Sequence, residues 1–325
     1  MSPAFSARGR VRPVSALSVL MAVTALLFGG LGLAACRSSG SSSGTSAASS
    51  GKIAIVAAEN QYGDVASQIG GDYVSVTSIE ANPNTDPHEY QVSPQVAAGI
   101  GQAQVVIMNG LGYDDWVTKI ADAQPNSNRT TLNVQALRKL PDSTPNPHLW
   151  YDPPTMPAVA AALVQALSRI QPAQADHFKA NEQTFLTSLK PWQSAIASFK
   201  SQHSGASVAT TEPVADYLLQ AMGIKNLTPW NLQADIMNGT DPTPQDVSFQ
   251  NGLFSQKDVK AFVYNHQVTD ELTRSFMQTA EQSGIPIVGV YETMPSPGFT
   301  YQRWMLAETE ALQNAIVSGT SKGSL

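Results

Sequence analysis

The chain has 325 residues, is 42% hydrophobic and only 14% charged, and carries a formal net charge of −6. That balance excludes the basic face a nucleic-acid partner requires. A single cysteine excludes an internal disulfide and a thiolate-rich zinc site.

Residues 1–35 have the layout of a secretory signal peptide. Arg8, Arg10 and Arg12 precede an uncharged apolar run over residues 15–33, which closes in Leu33-Ala34-Ala35-Cys36. The run also suits a membrane-spanning anchor, but its ending is that of a bacterial lipoprotein box. Cys36, the only cysteine, is the expected lipidation site and mature N-terminus. Residues 36–51, rich in Ser, Gly and Ala, read as a lipidated flexible tether that holds the rest beside the membrane.

Residues 52–171 read as a first α/β lobe. Strands are expected at 52–58, 74–79, 105–109 and 131–134, with helices at 62–69, from Ser93-Pro94 to about Gly101, and at 116–123. Asp152-Pro153 is expected to cap a helix whose apolar positions run from Met156 to Ile170 at helical spacing. Residues 172–204 form a long linker helix with a bend expected one turn before Pro191. Residues 205–325 read as a second α/β lobe, with strands at 207–211, 261–265 and 285–291. Its helices are expected at 213–222, 248–257, 270–283 and 301–317, and a long loop at 228–244. The alternation of strand and helix predicts two lobes, each a mainly parallel sheet with helices on both faces.

Two histidines stand out among five. His88 lies in Asp86-Pro87-His88-Glu89-Tyr90, in a loop after a strand. His148 lies in Asn146-Pro147-His148-Leu149-Trp150, with the Trp150 indole as a packing wall beside it. A loop histidine alone is usually a solvated polar residue, but two in similar settings suggest imidazole metal ligands. Glu212 and Glu292 each follow a strand of the second lobe. Alone, Glu212 reads as a carboxylate complementing a helix dipole. If the lobes face each other, both histidines and both carboxylates meet in one cleft, where a divalent ion would offset their burial. His177, His203 and His266 are lesser candidates; of these, His266 is nearest such a cleft. No phosphate loop or HExxH motif is present, and Gly110-Leu111-Gly112 lacks the third glycine of a dinucleotide fingerprint.

The lipobox, the tether and the segments DPHEY, NPHLWYDP, TEPVADYLLQAMGI and VYETMPSPGFTY occur in an order that resembles the cluster A-I solute-binding lipoproteins of bacterial zinc and manganese ABC importers, nearly end to end over the mature chain. The resemblance implies two α/β lobes bridged by a rigid helix. It implies a metal held between the lobes by His88, His148, Glu212 and Glu292, and delivery to an ABC permease and its ATPase. Glu212 stands where zinc members usually have histidine, and no His-rich loop lies between the first two ligands. Glu292 stands where aspartate is more frequent. This donor set favours manganese over zinc, with iron a further candidate. The implied protein is a monomer, not an enzyme, lipid-anchored on the extracytoplasmic face. The competing expectation is a secreted metal-dependent hydrolase, which needs an open coordination position and a nearby base.

Overall fold

The computed structural model describes residues 51–295 and 297–325; Cys36, the leader and nearly all of the tether lie outside them. The first half runs β1 (Ile53–Glu59), α1 (Asn60–Gly70), β2 (Val74–Glu80), α2 (Pro94–Gln102), β3 (Val105–Met108), α3 (Asp115–Ala123), β4 (Thr130–Asn133), the single turn α4 (Val134–Leu137) and α5 (Thr155–Ile170). Two connecting helices follow, α6 (Ala175–Ser188) and α7 (Lys190–His203). The second half runs β5 (Ser207–Thr210), α8 (Asp216–Met222), β6 (Lys225–Asn226), α9 (Trp230–Met237), α10 (Pro244–Ser255), β7 (Ala261–Asn265), α11 (Glu271–Gln282), β8 (Ile287–Val290) and α12 (Tyr301–Ser318).

The strands form two four-stranded sheets, ordered β2-β1-β3-β4 and β6-β5-β7-β8, with every pairing parallel. The two halves therefore repeat one topology. The central strands are buried on both faces, which is why β1, β3 and β7 read as near-continuous apolar runs. One core layer packs Val56, Val106 and Met108 of the first sheet against Ile100 and Val117. Another packs Phe262 of the second sheet against Phe254 and Phe276. Between the sheets a third core runs from Ile55 and Ile107 through Trp150, Leu163, Phe185 and Trp192 to Val208, Val288 and Leu312.

Several boundaries follow from local chemistry. Ser93 caps α2 by accepting the Val96 N–H, with Pro94 in the first turn. The helical connection breaks at Leu189, and Pro191 occupies the first turn of α7, where its missing N–H is not needed. The connection is thus two helices, tied to α12 by Trp192 Nε1 donating to Thr309 Oγ1 at 2.9 Å. Asp152 does not cap α5 with its side chain, since Pro154 is the N-cap. It pairs instead with Arg138 at 2.9 Å. The segment expected as a loop at 228–244 contains α9, which buries Leu232 and Ile236.

The carboxyl ends of the strands, where open α/β sheets present their ligand-binding loops, carry the chemistry. β2 leads into the loop bearing His88, β5 into Glu212 and β8 into Glu292. After β3, Gly110, Leu111 and Gly112 all have positive φ. A side chain at Gly110 would meet Asn133 and Gln135 at 2.9 Å. The carboxylate of Asp114 closes this turn by accepting the N–H groups of Asn109 and Gly110.

Candidate metal centre

His148 opens a short 3₁₀ turn, Leu149–Tyr151, and is fully buried. Its own N–H donates to Asn146 Oδ1 at 3.0 Å, and its Nδ1 lies 2.8 Å from the same oxygen. An oxygen that accepts from a backbone N–H accepts from the ring as well, so Nδ1 carries the proton and Nε2 presents a lone pair. Asn146 Nδ2 donates to Pro213 O at 2.8 Å, and Asn109 Nδ2 to Pro147 O at 2.8 Å. The His148 loop is thus pinned to both halves of the chain. Trp150 packs edge-on against the ring at 5.4 Å. Burial lowers the pKa of His148, outweighing the hydrogen bond and charge that Glu292 would offer a protonated ring, which keeps the imidazole neutral.

Glu292 follows β8 and its side chain is fully buried. Its Oε2 lies 3.2 Å from His148 Nε2 and 3.2 Å from His88 Nε2, and accepts Tyr113 Oη at 2.9 Å. Burial opposes its ionisation, but the charge and hydrogen bond of His88 hold it well below the usual carboxylate range. His88 sits in the turn Pro87–Glu89, whose N-cap Asp86 accepts the His88 N–H at 2.8 Å. Whereas the side chains of His148 and Glu292 are fully buried, that of His88 is 24% exposed. Burial opposes its protonation, yet Glu292, Glu212 and Asp86 raise its pKa to about 9.

Among the described residues, His88, His148 and Glu292 form a set whose ligand atoms all lie within 4.8 Å of one another. Glu212 is outside that set but adjoins it. Asn265 Nδ2 donates to Glu292 Oε1 at 2.6 Å and to Glu212 Oε1 at 3.2 Å, spending both amide hydrogens on the two carboxylates. Glu212 Oε2 is buried without a hydrogen-bond partner. Burial, and then the charge of Glu292, push the pKa of Glu212 well above its usual value. The structure therefore brings three of the four expected ligands together and places the fourth beside them.

The lesser candidates lie elsewhere. His266 Nδ1 faces Tyr264 Oη and Gly323 O. His177 contacts Tyr73 and Asn181, and His203 packs against Phe199 with the rings tilted. Sequence reasoning passed over Asn265, Tyr113, Asn146 and Gln267, whose Oε1 accepts the N–H groups of Glu292 and Thr293. The available signal was positional: Asn265 ends β7 at the same sheet edge as Glu212 and Glu292.

The donor atoms suit a divalent ion. Metal–ligand bonds of about 2.0–2.2 Å place adjacent donors roughly 3–3.5 Å apart, which matches the two 3.2 Å separations at Glu292 Oε2. An ion there would replace the proton shared between His88 and Glu292 and would give the orphaned Glu212 Oε2 a partner. Two imidazoles with carboxylate oxygens are a donor set for manganese, iron or zinc.

A family model described as ZnuA, the periplasmic component A of a zinc-uptake complex, matches residues 55–315. The metal ABC transporter substrate-binding lipoprotein FimA of Streptococcus parasanguinis is 27% identical over 290 residues, covering 83% of this chain and 87% of that protein. The manganese-binding lipoprotein MntA of Halalkalibacterium halodurans is 24% identical over 247 residues, covering 73% and 78%. The solved structure of the SBP FpvC from Pseudomonas aeruginosa in complex with Mn²⁺ superposes with a TM-score of 0.68 at 18% identity, covering 82% of this chain and 99% of that one. At such identity the likeness establishes the two-lobed fold.

Proposed function

The chain belongs to the ZnuA family of periplasmic metal-uptake components, and from that premise we propose that it is the capture receptor of an ABC importer, which holds a divalent transition metal between its lobes and passes it to a permease driven by an ATPase. The observation that carries this reading is Glu292 Oε2 at 3.2 Å from Nε2 of both His88 and His148. The ion is cargo. His148 offers a lone pair already oriented by Asn146, Glu292 supplies negative charge, and the partly exposed His88 completes the set. Glu212 joins when the ion's charge makes its ionisation favourable. The lobes of this receptor are residues 52–171 and 205–325, with 172–204 between them.

The carboxylates favour manganese over zinc, with iron a further candidate, since hard oxygen donors suit manganese while the Irving–Williams order lets zinc bind tightly as well. Lipidation of Cys36 and the tether through residue 51 place the receptor monomeric on the extracytoplasmic face of the membrane, beside its permease. The hydrolase reading loses its support, since the matched relatives are named as binding lipoproteins.

Elemental analysis of protein purified without added metal, with competition between Mn²⁺ and Zn²⁺, tests the reading. The wild type retains one divalent ion per chain, and His88→Ala and Glu212→Ala bind it more weakly. Undiminished binding in both variants would overturn it, and metal-dependent hydrolysis would restore the enzyme reading.

A further inference from the structure

The segment after β8 that carries Glu292 is fastened to the first half of the chain by buried bonds. The side-chain amide of Asn60 donates to Met294 O at 2.8 Å and accepts the Met294 N–H at 3.0 Å. The loop that carries His88 is built differently. Asn82, Asn84 and Thr85 are exposed, and the loop borders a cavity of about 560 Å³ whose opposite wall holds Gln267 and Thr293. Exposed backbone with few packed side chains is the part of a fold that opens most readily.

Gln267 spans the gap. Its Oε1 accepts the N–H groups of Glu292 at 2.7 Å and Thr293 at 2.8 Å. Backbone N–H groups only donate, so the amide oxygen faces them and the amide nitrogen points the other way. That nitrogen donates to Thr85 O at 2.6 Å and to Thr293 Oγ1 at 3.2 Å. Both lone pairs and both hydrogens of the amide are in use, so it cannot turn without breaking them. Thr85 precedes Asp86, whose carboxylate accepts the His88 N–H and caps the turn that holds the ring. The backbone N–H of Gln267 donates to Asn265 Oδ1 at 3.0 Å, which joins it to the residue bridging Glu212 and Glu292. One side chain thus grips both ligand-bearing loops. Its acceptor fixes the backbone of Glu292, and its donor fixes the backbone just ahead of His88.

We propose that Gln267 is the latch of the metal centre: its bond to Thr85 holds the His88 loop against Glu292, and opening of that bond lets the cation leave. It is a positioning residue and does not itself touch the cation. This inference rests on the receptor reading and adds to it the contact that sets the rate of release.

Gln267→Glu separates the two halves of the amide. A carboxylate still accepts the N–H groups of Glu292 and Thr293 but has no hydrogen for Thr85 O. Its added negative charge alone would hold a cation more tightly, so faster release in this variant reports the lost latch. The full protein is loaded with Mn²⁺ at neutral pH and chased with excess EDTA, and release is followed by the fluorescence of Trp150 beside His148. Dissociation speeds up about three- to tenfold, the worth of one hydrogen bond, and association is not slowed. Hydrogen exchange of the metal-free protein shows the Thr85 and His88 amides less protected in Gln267→Glu, with those of Glu292 and Thr293 unchanged. Gln267→Met, which keeps neither donor nor acceptor, leaves all four less protected. Release as slow as in the wild type, or loop amides as protected as in the wild type, would overturn the inference. Failure of the wild type to bind Mn²⁺ would overturn the receptor reading, and hydrogen exchange still decides on its own whether Gln267 holds the loop.

Discussion

The contact between His88 and Glu292 sets a pH dependence that can be worked out before any metal is added. Replacing Glu292 by Gln removes the carboxylate whose charge and hydrogen bond raise His88 from 6.5 to about 9. Without it, burial is the largest remaining influence, and the ring then titrates below its ordinary value. The shift corresponds to about 3 kcal/mol in favour of the protonated form, and roughly 2 kcal/mol once the 24% exposure of the ring is allowed for. The folded-state pKa of His88 is raised, so its contribution is fully present below pH 6.5 and is lost as pH rises through about 9. Glu292 is depressed, so its contribution is present above 4.5 and is lost only in strong acid. Urea unfolding of the metal-free wild type and Glu292→Gln, run at intervals from pH 5 to pH 9.5, reads the difference. The wild-type advantage is largest near pH 6 and shrinks by roughly 2 kcal/mol toward pH 9. An NMR titration of the metal-free protein places the His88 ring well above 6.5. A pH-independent difference, or a His88 ring titrating near 6.5, would refute the reasoning.

Other expectations follow from neighbouring contacts. Asn146→Ala removes the acceptor that fixes the tautomer of His148, and metal affinity falls about 10–100-fold in a chelator competition, as for other groups that orient a ligating histidine. Glu212→His replaces a hard oxygen with an imidazole, and the ratio of zinc to manganese affinity rises in the same competition. Tyr151 Oη lies within hydrogen-bond distance of both Glu308 Oε2 and Tyr291 O, so Tyr151→Phe leaves a buried carboxyl short of a partner. It destabilises the metal-free protein by about 1–3 kcal/mol in denaturant unfolding.

Much of this architecture was legible because buried parallel strands announce themselves. The stretch from Ile53 to Ala58 and that from Ala261 to Tyr264 are apolar in nearly every position, and Ser93-Pro94 marks a helix start by a capping chemistry that needs no tertiary context. The helix α9 was not legible: it follows a proline, buries few apolar residues and is otherwise amide-rich, so its stability comes from packing rather than pattern. The ligands His88 and His148 were legible through the prolines before them and the rarity of histidine. Asn265 was not, since its role is to bridge Glu212 and Glu292, 53 and 27 residues away, and nothing local marks an amide for that work. Asp152 shows the opposite error: a good capping residue by type, drawn instead to Arg138 by a contact across the fold.

The most direct test of the central claim is X-ray absorption at the metal edge on protein loaded with a single equivalent of Mn²⁺. The account predicts a first shell of two imidazole nitrogens with carboxylate oxygens, and loss of one imidazole contribution in His148→Ala. A shell of oxygen alone, unchanged by that substitution, would contradict it.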